Sequence, residues 1–174
     1  MTENTPTITN LQDLLNYDAR RFTCAEIELK QSLEKWIAMT SSLKLKTILQ
    51  KYMDFAEEHI QKFENFFEAQ HINSLSNANR IMKAFIEDTD ETMNRCTDPE
   101  VRDAGLLASV QGINHFKISL YGSAAAFAKE LGLEKFASVF HEAEVNEKQI
   151  DDRLSQLAEY EINRRARAPI ILPH

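Results

Sequence analysis

At 174 residues the chain has the length of about one domain. Its 43% hydrophobic and 27% charged residues exclude both a disordered tail and a membrane-embedded chain, and four Gly and four Pro are too few for the turns of a β-sandwich, a Rossmann fold or a P-loop enzyme. Lys and Arg number 20 against 27 Asp and Glu, and the resulting charge of −7 argues against a nucleic-acid partner.

The first six residues, Met1 to Pro6, show neither the basic stretch nor the apolar run of a signal peptide. No segment approaches the roughly 18 apolar residues of a membrane span. Cys24 and Cys96 are too far apart for zinc-ligand spacing and imply no disulfide framework. A reducing, cytoplasmic setting without a membrane partner is expected.

Residues Leu11, Leu14, Leu15, Phe22, Ala25, Leu29, Leu33, Trp36 and Ile37 recur at three-four spacing, which predicts a first amphipathic helix ending before Ser41-Ser42. A second stripe runs from Leu45 through Phe55 and Ile60 to Phe67, and the polar stretch His71 to Asn77 reads as a connection. Ile81, Met82, Phe85, Ile86 and Met93 predict a short additional helix near residues 78–94. Thr97-Asp98-Pro99-Glu100 is a helix start, with a cap, a first-turn Pro and an acid, and the helix it opens should stop at Gly132. The last helix should run from about Leu133 to Arg165, before Pro169. The expected fold is therefore all-α: one antiparallel four-helix bundle with a short additional helix, over 1–174 with tails at 1–8 and 169–174.

Some polar residues break the apolar pattern. Glu26 follows Phe22 by four and precedes Leu29 by three, so it lies on the inward stripe. In the helix after Pro99 one stripe reads Leu107, Val110, Asn114, Lys117, Tyr121, Ala124, which turns Asn114 and Lys117 inward. In the last helix Glu147 falls among Phe140, Ala143, Ile150 and Leu154, with Asp151 one turn below. These place a buried polar cluster of Glu26, Asn114, Lys117, Glu147 and Asp151 at mid-bundle. Carboxylates gathered from facing helices are how di-iron sites are built in such bundles, but a fixed ammonium competes with a metal for the same negative charge. An unpaired buried carboxylate is costly, and Lys117 is the economical partner.

Further residues carry a resemblance. Asp98-Pro99-Glu100-Val101-Arg102-Asp103-Ala104 is followed by Gln111, His115, Ile118 and Tyr121-Gly122. Ala25-Glu26, the Ser41-Ser42 turn with Leu45-Lys46, Lys129-Glu130-Leu131-Gly132-Leu133, and Glu147-Lys148 with Asp151 complete the set. On these the chain resembles, end to end, the YciE/YciF family of bacterial ferritin-like proteins. The resemblance implies a dimer of ferritin-like bundles associated with stress responses, and a metal site in the bundle. Carried onto this chain, the family's first-helix Glu is Glu26 and its last-helix acids are Glu147 and Asp151. The second-helix His-x-x-Glu falls on Tyr52 and Phe55, and the Glu-His-aromatic-Glu falls on Asn114-His115-Phe116-Lys117.

The expectation is a non-catalytic member with its di-metal site degraded to a Lys–Glu cluster and no cofactor. The alternative is a di-iron oxidoreductase or iron-handling protein, whose iron or other divalent metal would sit on Glu26, Glu147 and Asp151. His59 is no part of a Glu-x-x-His, since Ala56 stands three before it, and His115 reads as structural. A phosphotransfer role for His115 is disfavoured because Lys117, two residues on, lies off its face. Asp88, Asp90 and Glu91 lack the Gly and terminal Glu of a calcium loop. Phe63, Phe66, Phe67, Phe85 and Phe127, with the apolar Pro169 to Pro173 tail, are expected to serve a homodimer interface as well as the core.

Overall fold

A computed structural model describes residues 7–72 and 78–167. It contains α1 (Leu11–Met39), α2 (Leu43–Ala69), α3 (Arg80–Arg95), α4 (Pro99–Glu130) and α5 (Glu134–Leu157). A π-helical turn, Ala158–Ile162, carries the last helix into the short α6 (Asn163–Arg165).

Local chemistry sets the boundaries. Side chains of Asn10, Ser42, Asn79 and Asp98 each accept a hydrogen bond from a first-turn backbone N–H of the helix they precede, satisfying donors that have no partner within the helix. Pro99 occupies the first turn of α4, where its missing N–H costs nothing. Gly132, at φ +71°, closes α4: Leu133 N–H reaches Ala128 O at 2.9 Å and Gly132 N–H reaches Lys129 O at 3.0 Å. The same closure ends α2, with His71 in the left-handed position at φ 53°.

Contacts at the helix ends define the direction of travel. Gln12 Nε2 donates to Gln70 Oε1, which pairs the start of α1 with the end of α2. Asp103, in the first turns of α4, accepts from the backbone N–H groups of Ser41 and Ser42 between α1 and α2. Lys44 at the start of α2 pairs with Glu161 beyond α5. α1 and α5 therefore run one way and α2 and α4 the other. The chain must travel the length of the bundle between α2 and α4, the single long crossover of ferritin-like topology. That crossover carries α3, which lies on α1 and α4. Trp36 Nε1 and Lys35 Nζ bind the carboxylate of Asp90 at 2.8 and 2.9 Å. Gly105 lets α3 come close, since a Cβ there would stand 3.2 Å from Thr92 Cγ2.

Two differences from the sequence expectation are physical. The π-helical turn interrupts the predicted uniform last helix, in a stretch with neither Gly nor Pro to announce it. The aromatic residues assigned in part to a dimer interface lie instead largely inside this chain. Phe63 and Phe66 are fully buried and Phe67 nearly so. Phe66 sits 4.9 Å from Phe136 and 5.5 Å from Phe140 between ring centroids, while Phe85 packs on Phe116. Residues 169–173 lie outside the described residues.

Asp103 is only 3% exposed, and its carboxylate is the joint between the α1–α2 turn and α4, with acceptor distances of 3.0 Å to Ser41 N and 2.7 Å to Ser42 N. Asp103→Ala leaves the buried Ser42 donor and the part-buried Ser41 donor without their partner. It should lower the unfolding free energy by about 2–3 kcal/mol, measured by urea denaturation, with Asp103→Asn recovering part of the loss.

Candidate functional site at the centre of the bundle

Each long helix contributes one ionisable side chain to a single buried layer. Glu26 comes from α1, His59 from α2, Lys117 from α4 and Glu147 from α5, and each is at most 1% exposed. The carboxylates stand on one diagonal of the bundle and the basic groups on the other, so acidic and basic side chains alternate around the square. Lys117 Nζ lies 2.9 Å from Glu26 Oε2 and 2.5 Å from Glu147 Oε1. No other hydrogen bond reaches those two oxygens. His59 Nδ1 lies 2.8 Å from Glu26 Oε1 and 3.8 Å from Glu147 Oε1.

Two tyrosines bracket the layer. Tyr121 donates to Glu26 Oε1, and Tyr52 donates to Glu147 Oε2 at 2.7 Å. The ammonium of Lys117 stands 4.5 Å from the Tyr52 ring centroid and 5.8 Å from that of Tyr121, within cation–π reach of both. Asn114 Nδ2 donates to Glu147 twice, to Oε2 at 2.7 Å and to the backbone oxygen at 2.9 Å. Asn146 meets His59 Nε2 at 3.3 Å.

Electrostatics pulls the two acids apart. Burial raises the Glu26 pKa, but the Lys117 charge and the His59 and Tyr121 contacts outweigh it and hold the carboxyl at about 2. Glu147 goes up: burial and repulsion from Glu26 exceed the help of Lys117. Lys117 stays charged beyond its usual range because Glu147 and Glu26 more than offset its burial. Burial and the two carboxylates push both tyrosine hydroxyls well above the ordinary phenol value, so they act as neutral donors.

The structure brings together four of the residues read as a polar cluster: Glu26, Asn114, Lys117 and Glu147. Asp151 is a correction. A four-residue step advances about 400° around a helix, an offset of some 40° from Glu147, and that carries Asp151 onto the flank of α5. There it pairs with His115 Nε2 at 2.9 Å and with Gln111, and His115 itself is 65% exposed. The ligand set Glu26, Glu147 and Asp151 is therefore not assembled. His59, set aside in the sequence because no Glu precedes it by three, is the residue that α2 presents to the layer. It follows Phe55 and precedes Phe63 by four, on the buried stripe of α2, and that spacing signals its inward position. Tyr52 and Tyr121 read as apolar stripe residues, yet their hydroxyls supply hydrogen bonds to the acids.

A di-metal centre of the kind built in such bundles needs a Glu on two helices and a Glu-x-x-His on the other two. The residues present do not fit it. Two carboxylates and one imidazole face each other, and an ammonium is in contact with both carboxylates.

Removing the cation alone leaves two buried acids facing one another. Lys117→Met should cost about 3–5 kcal/mol in unfolding free energy, and the triple variant Glu26→Gln/Lys117→Met/Glu147→Gln should regain most of it. Glu26 also sets a pH signature. Its depressed pKa contributes stability that is full above about 4.5 and is lost as pH falls towards 2. The stability difference between wild type and Glu26→Gln should therefore be constant above pH 4.5 and shrink below it, as read by denaturation at a series of pH values.

Comparison with known proteins agrees with this architecture. The chain is 29% identical over 143 residues to Protein YciF of Escherichia coli (strain K12), covering 82% of this chain and 86% of that protein. The crystal structure of the E. coli stress protein YciF superposes with a TM-score of 0.83 at 27% identity, over 90% of this chain and 99% of that one. The structure of YcfI from Rhodopseudomonas palustris matches in fold with a TM-score of 0.82 at 23% identity, over 89% and 97% of the two chains. The family model DUF892, described as a domain of unknown function, matches residues 10–167. The chain belongs to the DUF892 family and shares its helical-bundle fold with YciF.

Proposed function

We propose that this protein is a non-catalytic member of the family, a ferritin-like scaffold whose central layer is held together by its own lysine. One observation carries the reading: the Lys117 ammonium contacts both buried carboxylates, the groups a redox metal would need. Tyr52, Tyr121, Asn114 and His59 take up the other carboxylate oxygens. Two surface pockets are lined by Lys46, Gln50, Lys51 and Arg153, and by Ser41, Glu100 and Arg165. Neither is lined by Glu26, Lys117 or Glu147.

On this reading the protein acts through its outer surface, in keeping with the stress-protein description of YciF. A twofold dimer in the cytoplasm is the proposed working form. No described helix is long and apolar enough to cross a membrane. Large apolar side chains left bare include Leu43 at 78% and Tyr160 at 67% exposure. Both flank the Lys44–Glu161 pair at one end of the bundle.

The competing reading, a di-iron oxidoreductase or iron-handling protein, draws on the Glu26, His59 and Glu147 side chains, whose ligand atoms lie within 4.8 Å of one another. Metal analysis of wild-type protein purified without chelator, then anaerobic ferrous addition and exposure to air, separates the two. Substoichiometric iron and no oxygen consumption above the buffer rate are expected. A stoichiometric iron load with oxidase turnover would overturn the proposal.

A further inference from the structure

We propose that a basic surface depression along α2 binds a short phosphate chain, free or carried on a nucleoside. The site lies apart from the buried layer, and the inference does not depend on what that layer does.

The lining is the first argument. The depression has a volume of about 490 Å³, and its walls include Ile37 of α1, Lys46, Gln50, Lys51 and Asp54 of α2, and Arg153 of α5. That volume falls in the range of small-molecule sites. Three cations meet there, on a chain whose net charge is −7.

The second argument is that these charges are not used within the protein. Every other lysine of α1 and α2 is ion-paired: Lys30 with Glu57, Lys35 with Asp90, Lys44 with Glu161, and Lys62 with Glu58 and Glu142. Among the described residues, Lys46, Lys51 and Arg153 form no ion pair. The Lys51 ammonium stands 4.4 Å from the Phe55 ring centroid, a contact that orients it without neutralising it. Asp54 is the one acid among the described lining residues, and Gln50 Nε2 donates to its Oδ1 at 3.3 Å. Like charges gathered without a counter-charge repel one another, and a bound anion relieves that repulsion.

Spacing selects the ligand. Lys46 and Lys51 are separated by about 7.5 Å along the helix axis, and Arg153 comes from a different helix. One tetrahedral phosphate is too small to engage all three, whereas two or three linked phosphates carry their charges in a row. The guanidinium can take two phosphate oxygens at once, and each ammonium acts as a point charge. Ile37, half-buried at the wall, gives an apolar contact for whatever the chain is attached to.

The test is isothermal titration calorimetry of the full chain with orthophosphate, pyrophosphate, tripolyphosphate and ATP, without divalent metal. Affinity should rise with the number of linked phosphates and fall with added salt. Lys46→Gln, Lys51→Gln and Arg153→Gln should each weaken tripolyphosphate binding about tenfold. Asp54→Asn should tighten it, because it removes the opposing charge. Lys129→Gln, an exposed lysine at the other end of the bundle, should leave it unchanged. Thermal melting of each variant checks that the fold is kept, as expected for side chains that are exposed or half-buried. ATP binding tighter than tripolyphosphate supports the site as a nucleotide site, and equal or weaker ATP binding supports it as a site for the free chain. The proposal is overturned if wild type does not bind tripolyphosphate at millimolar concentration, or if Lys129→Gln weakens binding as much as the three lining variants. It is also overturned if a polyglutamate peptide binds tighter than tripolyphosphate, which would assign the depression to an acidic protein segment.

Discussion

A lysine ammonium cannot be left alone in a helical core, and the rest of this molecule is arranged around that constraint. Lys117 is 1% exposed and pairs with acids from two different helices. Each of those acids is then bound by a tyrosine hydroxyl, and by His59 or Asn114. The result is a connected network in which nearly every member is both buried and engaged. Such a network gains little over an apolar core of equal volume, because desolvation offsets most of the Coulomb attraction. What it does supply is discrimination: a helix slid by one turn would bury an acid without its cation. We regard Lys117 as the register pin of the bundle in that sense.

The layer also divides the apolar interior. On one side lie Leu29, Trp36, Leu49, Leu106, Val110 and Leu154. On the other lie Leu15, Phe63, Phe66, Ala128 and Phe140. The two clusters differ in character, the first rich in branched aliphatic residues and the second in stacked aromatic rings. Tyr52 belongs to one and Tyr121 to the other, each with its ring in the apolar packing and its hydroxyl on the layer. Tyrosine suits this boundary because it joins a large hydrophobic body to one polar tip.

Most of the fold is legible in the sequence because its signals are local. Caps at Asn10, Ser42, Asn79 and Asp98, the glycine at 132 and the three-four stripes each act within a few residues of the chain. The inward acids and lysine are legible for the opposite reason, since each violates the stripe that surrounds it. Asp151 misleads because the helical period drifts: four residues on from Glu147 is close to the same face, but far enough round to reach solvent and His115. His59 and the tyrosines are lost for another reason. Their packing positions are evident, but their partners lie on other helices, and a stripe does not reveal which polar tips will meet. The π-helical turn has no sequence signature of its own.

The topology has a consequence for the route by which the chain becomes compact. α1 with α2, and α4 with α5, are helical hairpins joined by short turns, and such local pairs close fastest because little loop entropy is lost. Glu26 and His59 belong to the first hairpin, Lys117 and Glu147 to the second. Each half thus carries its own acid and its own base before the halves meet. A hairpin that collapses early can pair its inward acid within itself, and docking then adds the Lys117–Glu26 contact between α4 and α1 instead of burying a lone ion. The crossover through α3, laid along the outside, is long enough to let two such preformed halves find each other late.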